Sequence, residues 1–172
     1  MMSRKTDAKG RSTGQLVHFA GRAKRWKLEG QFIPHTLDMR ESPGFRALTM
    51  PARRVLDFLE LEHLRHGGAE NGNLLAPYAQ LVTWGVTKRD IAPAIATLVR
   101  FGFIRRTEHG QRLGGRPNAT RYALTWLPTS DGQLPTEDFR KVSRSDVLDW
   151  EADRRLQAEA KRTRKALSPA KI

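Results

Sequence analysis

Few of this chain's reactive side chains stand at spacings that would let them react. The five histidines (His18, His35, His63, His66, His109) are scattered, and only His63 and His66 share a helical face, three residues apart. Two imidazoles on one helix can start a metal site, but no third ligand of suitable type accompanies them. No phosphate-cradling glycine loop and no serine-nucleophile motif occurs. The absence of cysteine removes disulfides, thiolate chemistry and zinc fingers together. No catalytic residue, cofactor or metal is therefore expected. The spacings that do carry chemistry belong to cations. Lys88 and Arg89 open an amphipathic segment, and Arg105, Arg106, Arg112, Arg116 and Arg121 follow, opposed only by Glu108. Guanidinium forks suit phosphates and base edges, and arginine is preferred where a narrow minor groove deepens the negative potential.

The elements that must hold these cations can be read from periodicity. Tyr78–Trp84 carries apolar residues at near-helical spacing, Gly85 breaks it, and Val86 fills the turn. Thr87-Lys-Arg-Asp90 has the form of a capping box, in which the hydroxyl accepts from a first-turn amide and the carboxylate reaches back. The helix it opens places Ile91, Ala94, Ile95 and Leu98 on one face, and Gly102 follows as a terminator. Its outward face then offers Thr87, Lys88, Arg89, Ala92, Pro93, Ala96, Thr97 and Arg100. Pro93 removes an interior amide and is expected to bend the helix slightly. Phe103–Thr107 and Thr120–Trp126 alternate as half-buried strands, and the glycine-loaded stretch between them is hairpin-loop chemistry. Leu74-Leu75 supplies a short third strand.

Helix, turn, helix and two-stranded ribbon, in that order, resembles bacterial winged helix-turn-helix DNA-binding proteins, both regulators and plasmid- or phage-type replication proteins. Thr87–Ile95, Leu98–Ile104 and Arg121–Thr125 carry the resemblance, which covers about half the chain. It implies an α+β, mainly α fold whose second helix enters the major groove while the wing grips the adjacent groove. Thr87, Lys88, Arg89, Thr97 and Arg100 would then face the duplex from the helix. Arg105, Arg106, Arg112, Arg116, Asn118 and Arg121 would face it from the wing. Gly115-Arg-Pro117 is similar to the core of an AT-hook without its leading Pro-Arg, so Arg116 is expected in the minor groove of A·T-rich flanks.

Flanking segments complete the plan. Residues 1–30 hold eight cations against Asp7 and Glu29, with too little apolar surface to order themselves. They are read as a basic arm contacting DNA through Lys24 and Arg25, where Trp26 also stands; the alternative is a solubilising tail. Residues 31–127 form the DNA-binding domain. Within it, Phe32, Ile33, Leu37 and Met39 are expected to cover an edge of the core. A short turn of helix over 42–48 follows them. A helix from Thr49 to Gly67-Gly68 then buries Val55, Leu56, Leu59 and Leu64, widened by Phe58 and Leu61. Arg53 and Arg54 near its start are unfavourable for the helix dipole and hint at a nearby anion, unless simply solvated. A linker occupies 128–136. A charged helical extension, capped by Ser145, runs from about 137 to the end, its start acidic and its finish basic. It is the candidate surface for a second copy or a protein partner.

A formal charge of +13 makes contact with polyanions unavoidable, with nucleic acid ahead of an anionic membrane surface. No apolar run is long enough to span a bilayer and no signal-peptide core is present, so a cytoplasmic protein is expected. The reading favoured on sequence is a sequence-specific double-stranded DNA-binding transcriptional regulator. The alternatives are a replication initiator or accessory factor of a mobile element, and a non-specific architectural nucleic-acid-binding protein.

Overall fold

A computed structural model describes residues 30–108, 112–113, 116–117 and 119–167; for 112, 113, 116, 117 and 164–167 it describes the backbone. Lys24, Arg25 and Asn118 lie outside the described residues. The described chain is mainly helical with a small antiparallel sheet. Its helices are α1 (Leu37–Glu41), α2 (Pro43–Arg46), α3 (Met50–Arg65), α4 (Tyr78–Thr83), α5 (Lys88–Arg100) and α6 (Arg144–Leu167). Its strands are β1 (Leu74–Leu75), β2 (Ile104–Glu108), β3 (Arg112–Leu113), β4 (Arg116–Pro117) and β5 (Arg121–Leu124). In the three-stranded sheet β5 is central, flanked by β1 and β2, both antiparallel to it. β3 and β4 form their own short ladder, Arg112 opposite Pro117 and Leu113 opposite Arg116.

α3 is the hub. Thr49 caps it, its hydroxyl accepting from the Ala52 amide, and Pro51 occupies the first turn, where no amide is needed. Ala52, Val55, Leu56, Phe58 and Leu59 are buried from this helix and meet Ile91, Ala94, Ile95 and Leu98 of α5. Two expected members of the stripe differ, Leu61 being half-buried. Leu64 is only half-buried, and the position facing inward at that level is His63, 6 % exposed. Arg53 and Arg54 also find a use inside the protein. Arg53 donates to the carbonyls of Phe45 (2.9 Å) and Leu48 (3.4 Å) and stacks 4.7 Å from the Phe45 ring. Arg54 donates to the Gly85 carbonyl. Carbonyl dipoles supply the negative partner that a foreign anion would have supplied.

The edge expected from residues 32–39 is covered by fewer of them than the sequence indicates. Met39 is fully buried and Ile33 packs on the core, but Phe32 and Leu37 are largely exposed. Ser42 explains the change of direction. Its hydroxyl donates to the Met39 carbonyl, closing α1, and accepts from the Phe45 amide, opening α2. Two helices this short leave only one side chain each of bulk to bury.

The core does not end with β5. Phe139, in a 3₁₀ turn over Asp138–Lys141, stacks on Phe103 with ring centroids 5.9 Å apart and an interplanar angle of 6°. Val147, near the start of α6, is also buried. The Leu127–Pro135 stretch is held as well, by Asn71, a residue the sequence places in an unremarked loop. The Asn71 amide group donates to the carbonyls of Leu124, Leu127 and Pro128, each at 3.0 Å, and its oxygen accepts from the Leu124 amide at 2.7 Å.

α6 opens on a capping box, though two residues before the expected Ser145. The Ser143 hydroxyl accepts from the Asp146 amide (3.2 Å), and the Asp146 carboxylate accepts from the Ser143 amide (2.9 Å).

Candidate nucleic-acid interface

α4 and α5 are joined by a tight turn that the sequence dictates almost atom by atom. The Gly85 amide donates to Val82 O (3.0 Å) and the Val86 amide to Leu81 O (2.9 Å), with Gly85 at φ +89°. This double bond pattern is a Schellman end, which needs a left-handed residue at Gly85. Val86 and Leu81 then close over each other, both buried. The guanidinium of Arg54 ties the turn to α3.

Beyond the turn the expected capping box is not formed in its usual sense. The Thr87 hydroxyl makes no bond to a first-turn amide. It donates to the Asp90 carboxylate, while the Asp90 amide bonds Thr87 O at 2.9 Å. Ser143–Asp146 forms the reciprocal box that Thr87–Asp90 does not.

Lys88 and Arg89 lie exposed on the first turn of α5, with the Arg89 side chain 88 % accessible and 3.7 Å from Asp90. Ala92 and Pro93 continue the outward face and Ala96 is half-buried, so the face is small and smooth. Thr97 corrects the expectation of a groove contact. It is 1 % exposed, and its hydroxyl donates to the Pro93 carbonyl at 2.9 Å. Threonine read as outward-facing polar is here a buried residue, satisfied by the carbonyl four positions back. Arg100 is exposed at the far end of the helix, about 18 Å along the axis from Lys88 at 1.5 Å per residue.

The strand arginines divide by role. Arg121 forms an ion pair with Glu108 (3.1 Å) and donates to Asn73 Oδ1 (3.1 Å), bracing the base of the ribbon. Arg105 donates to Gln133 Oε1 at 3.2 Å. Arg106 is exposed beside Tyr122, whose phenol is pushed up by burial against the opposing pull of Arg106. Register irregularity between Arg106 and Glu108 marks a bulge, and Thr107 there donates to Gly72 O at 2.6 Å. Arg112 and Arg116 lie on the β3–β4 ladder, Arg116 opposite Leu113. Their side chains are outside the described set.

Arg100 of α5 comes together with Arg105 and Arg106 of β2. With Val99, Gly102, Ile104 and the Asp138–Asp146 stretch they line an open cleft of about 560 Å³. Lys141 joins them there, a cation the sequence reading missed because it belongs to the segment read as extension. Lys141 donates to Asp138 (2.7 Å). Burial opposes ionisation of Asp138, but hydrogen bonds from Lys141 and Thr136 outweigh it and hold the carboxyl below its ordinary value. Asp146 is likewise held low, first by Ser143 and then by Arg100.

Exposed apolar side chains flank the turn on the α4 side. Tyr78, Val82 and Trp84 are all more than two-fifths exposed, with Trp84 edge-on to Phe58 at 6.1 Å. Among the described residues no cluster of three metal-ligating side chains occurs, and no helix is long and apolar enough to cross a membrane. No family model, curated protein or solved structure matches the chain.

Proposed function

We propose that this chain is a sequence-specific double-stranded DNA-binding protein of the winged helix-turn-helix kind, acting as a transcriptional regulator. The observation that carries the reading is the face of α5. Two long cations stand exposed at its first turn, beside a stretch of Ala92, Pro93 and Ala96 with no side chain large enough to hold a groove wall away. A helix entering the major groove N-terminus first would set Lys88 and Arg89 against guanine edges or flanking phosphates. Element order supports the same reading: α3, β1, α4, α5, β2 and β5 follow one another as in that fold. Arg106 on β2 and Arg116 on β4 then serve the wing. A charge of +13 supplies the sequence-independent attraction.

The test is selection of binding sites from a random duplex library with the full chain, followed by competition at physiological salt. A preference of at least about 10³-fold over bulk competitor is the expected result. The Lys88→Glu, Arg89→Glu double variant should lose that preference while keeping its fold. Undiminished selective binding by the double variant, or no selectivity in the parent chain, would refute the assignment.

A further inference from the structure

Beyond Glu151, α6 projects a face that is exposed among the described residues. Val147 and Trp150 turn inward, Val147 buried and Trp150 packed against the core. At 3.6 residues per turn, Ala152 and Leu156 fall on the side opposite Val147, in line with Leu148 and Ala160. Residues 152–163 are all exposed, with Leu148 56 % and Leu156 63 % accessible. The helix runs about 36 Å, and its charge is polarised along that length. Residues 144–153 hold Asp146, Asp149, Glu151 and Asp153 against Arg144. Residues 154–163 hold Arg154, Arg155, Lys161 and Arg162 against Glu159.

We propose that α6 is a self-association helix, along which two copies of this chain pair antiparallel. The charge pattern decides between partners and between orientations. Duplex DNA would accept the basic half and repel the acidic one. Parallel pairing would set like against like at both ends. Antiparallel pairing sets the net-negative ten residues of one copy against the net-positive ten of the other. With the two-fold axis at Leu156, that residue meets its own copy, Ala152 meets Ala160, Glu151 comes beside Arg162, and Arg155 beside Glu159. The two leucines supply the attraction, and the charges set direction.

Sedimentation equilibrium of the full chain without DNA, from 5 to 200 µM (about the range a four-turn contact calls for), tests association apart from DNA reading. The expected result is a reversible monomer–dimer equilibrium. Leu148→Glu with Leu156→Glu should weaken it at least about 100-fold, since the dimer loses both copies of Leu156 from its centre. Both sites are exposed, so circular dichroism and melting temperature should stay at parental values. The lack of native cysteine permits a clean orientation test. A mixture of Ala152→Cys and Ala160→Cys chains should give mainly the mixed disulfide on oxidation. In the antiparallel pair two Ala152 positions lie about 12 Å apart along the axis, beyond disulfide reach. A chain monomeric throughout the range, a dimer that survives the double glutamate variant with its fold intact, or dominant 152–152 cross-linking would each overturn the proposal.

Discussion

Replacing Asn71 by alanine should be among the most damaging single changes outside the apolar core. Its side chain is 1 % exposed and serves four backbone partners, three carbonyls and one amide. An amide nitrogen has two protons, so three acceptors at 3.0 Å share them, and one of those bonds is a shared, weaker contact. Alanine strands the Leu124 amide and at least two carbonyls. Each buried orphan costs about 1–3 kcal/mol, and water reaching the Pro128 end would recover part of it. A net loss of roughly 3–5 kcal/mol is expected, which is a third or more of a typical domain's stability. At about 2–4 °C per kcal/mol for a domain near this size, the melting temperature should fall by roughly 6–20 °C. Asn71→Asp separates the two roles of the side chain. It keeps the acceptor for the Leu124 amide but turns an oxygen toward three carbonyls, so it should be worse than alanine. Differential scanning calorimetry of both variants decides the matter. A shift below about 3 °C for Asn71→Ala, or an aspartate variant as stable as the parent, would show that Asn71 does not hold this junction.

Gly102→Ala should cost about 3 kcal/mol or more by chemical denaturation, because Gly102 sits at φ +70° and an added Cβ would lie 2.5 Å from the Asp138 carbonyl carbon. Thr97→Val should leave DNA affinity unchanged and lower stability by about 1 kcal/mol, through loss of the bond to Pro93; an affinity loss would return Thr97 to the groove. Burial holds the His63 imidazole below its ordinary value of 6.5, so the unfolded chain takes up a proton there that the folded one resists. The His63 contribution is therefore neutral above pH 6.5 and destabilising as pH falls below it, and His63→Gln should flatten denaturant midpoints measured between pH 7 and 5. For binding, Lys88→Ala and Arg89→Ala should each reduce the slope of log affinity against log salt by about 0.9 if each side chain meets one phosphate. Arg116→Ala should lose preference for A·T-rich flanks in competition assays, and retention of that preference would remove Arg116 from the minor groove.

What the sequence made legible was where the helices stop and where the strands lie. Gly85 and Gly102 follow apolar periodic runs, and both end helices with the same pair of backward hydrogen bonds. The short strand at Leu74-Leu75 was readable because two adjacent apolar residues between polar turns have little else to do, but its pairing with β5 was not. What escaped were partnerships across long sequence separations. Asn71 reaches 53 to 57 residues ahead, and nothing at position 71 distinguishes it from the loop residues Asn73 or Glu70. Arg53 and Arg54 were readable as dipole-unfavourable, but not as donors to the carbonyls of Phe45 and Gly85. Thr97 shows a limit of face assignment. Its position in the wheel borders the buried stripe, and a methyl plus a hydroxyl that bonds its own helix buries as readily as valine. Phe139 lay beyond a linker rich in proline and glycine, which reads as a boundary unless one knows that Phe103 presents a ring to be stacked upon.

These distant contacts share a consequence for the face that α5 presents. Arg54 fixes the turn before α5, and the Gly102–Phe103 end is fixed by Thr125, whose hydroxyl donates to Gly102 O at 2.6 Å and whose amide donates to Phe103 O at 3.1 Å. Thr125 in turn accepts from the Glu137 amide at 3.0 Å, so the segment carrying Asp138 and Lys141 hangs on the same point. Both ends of the helix are thus tied to other elements by bonds that do not involve its outward side chains. Lys88, Arg89 and Arg100 are free to be exchanged without touching those ties. Substitutions on the outward face should therefore change what the helix binds and not where it stands, whereas Arg54→Ala or Thr125→Val should disturb binding without removing a single cation from that face. A helix whose position depended on its own exposed residues could not separate the two effects. The separation is measurable by comparing salt dependence, which the outward substitutions alter and the tie substitutions leave as it was.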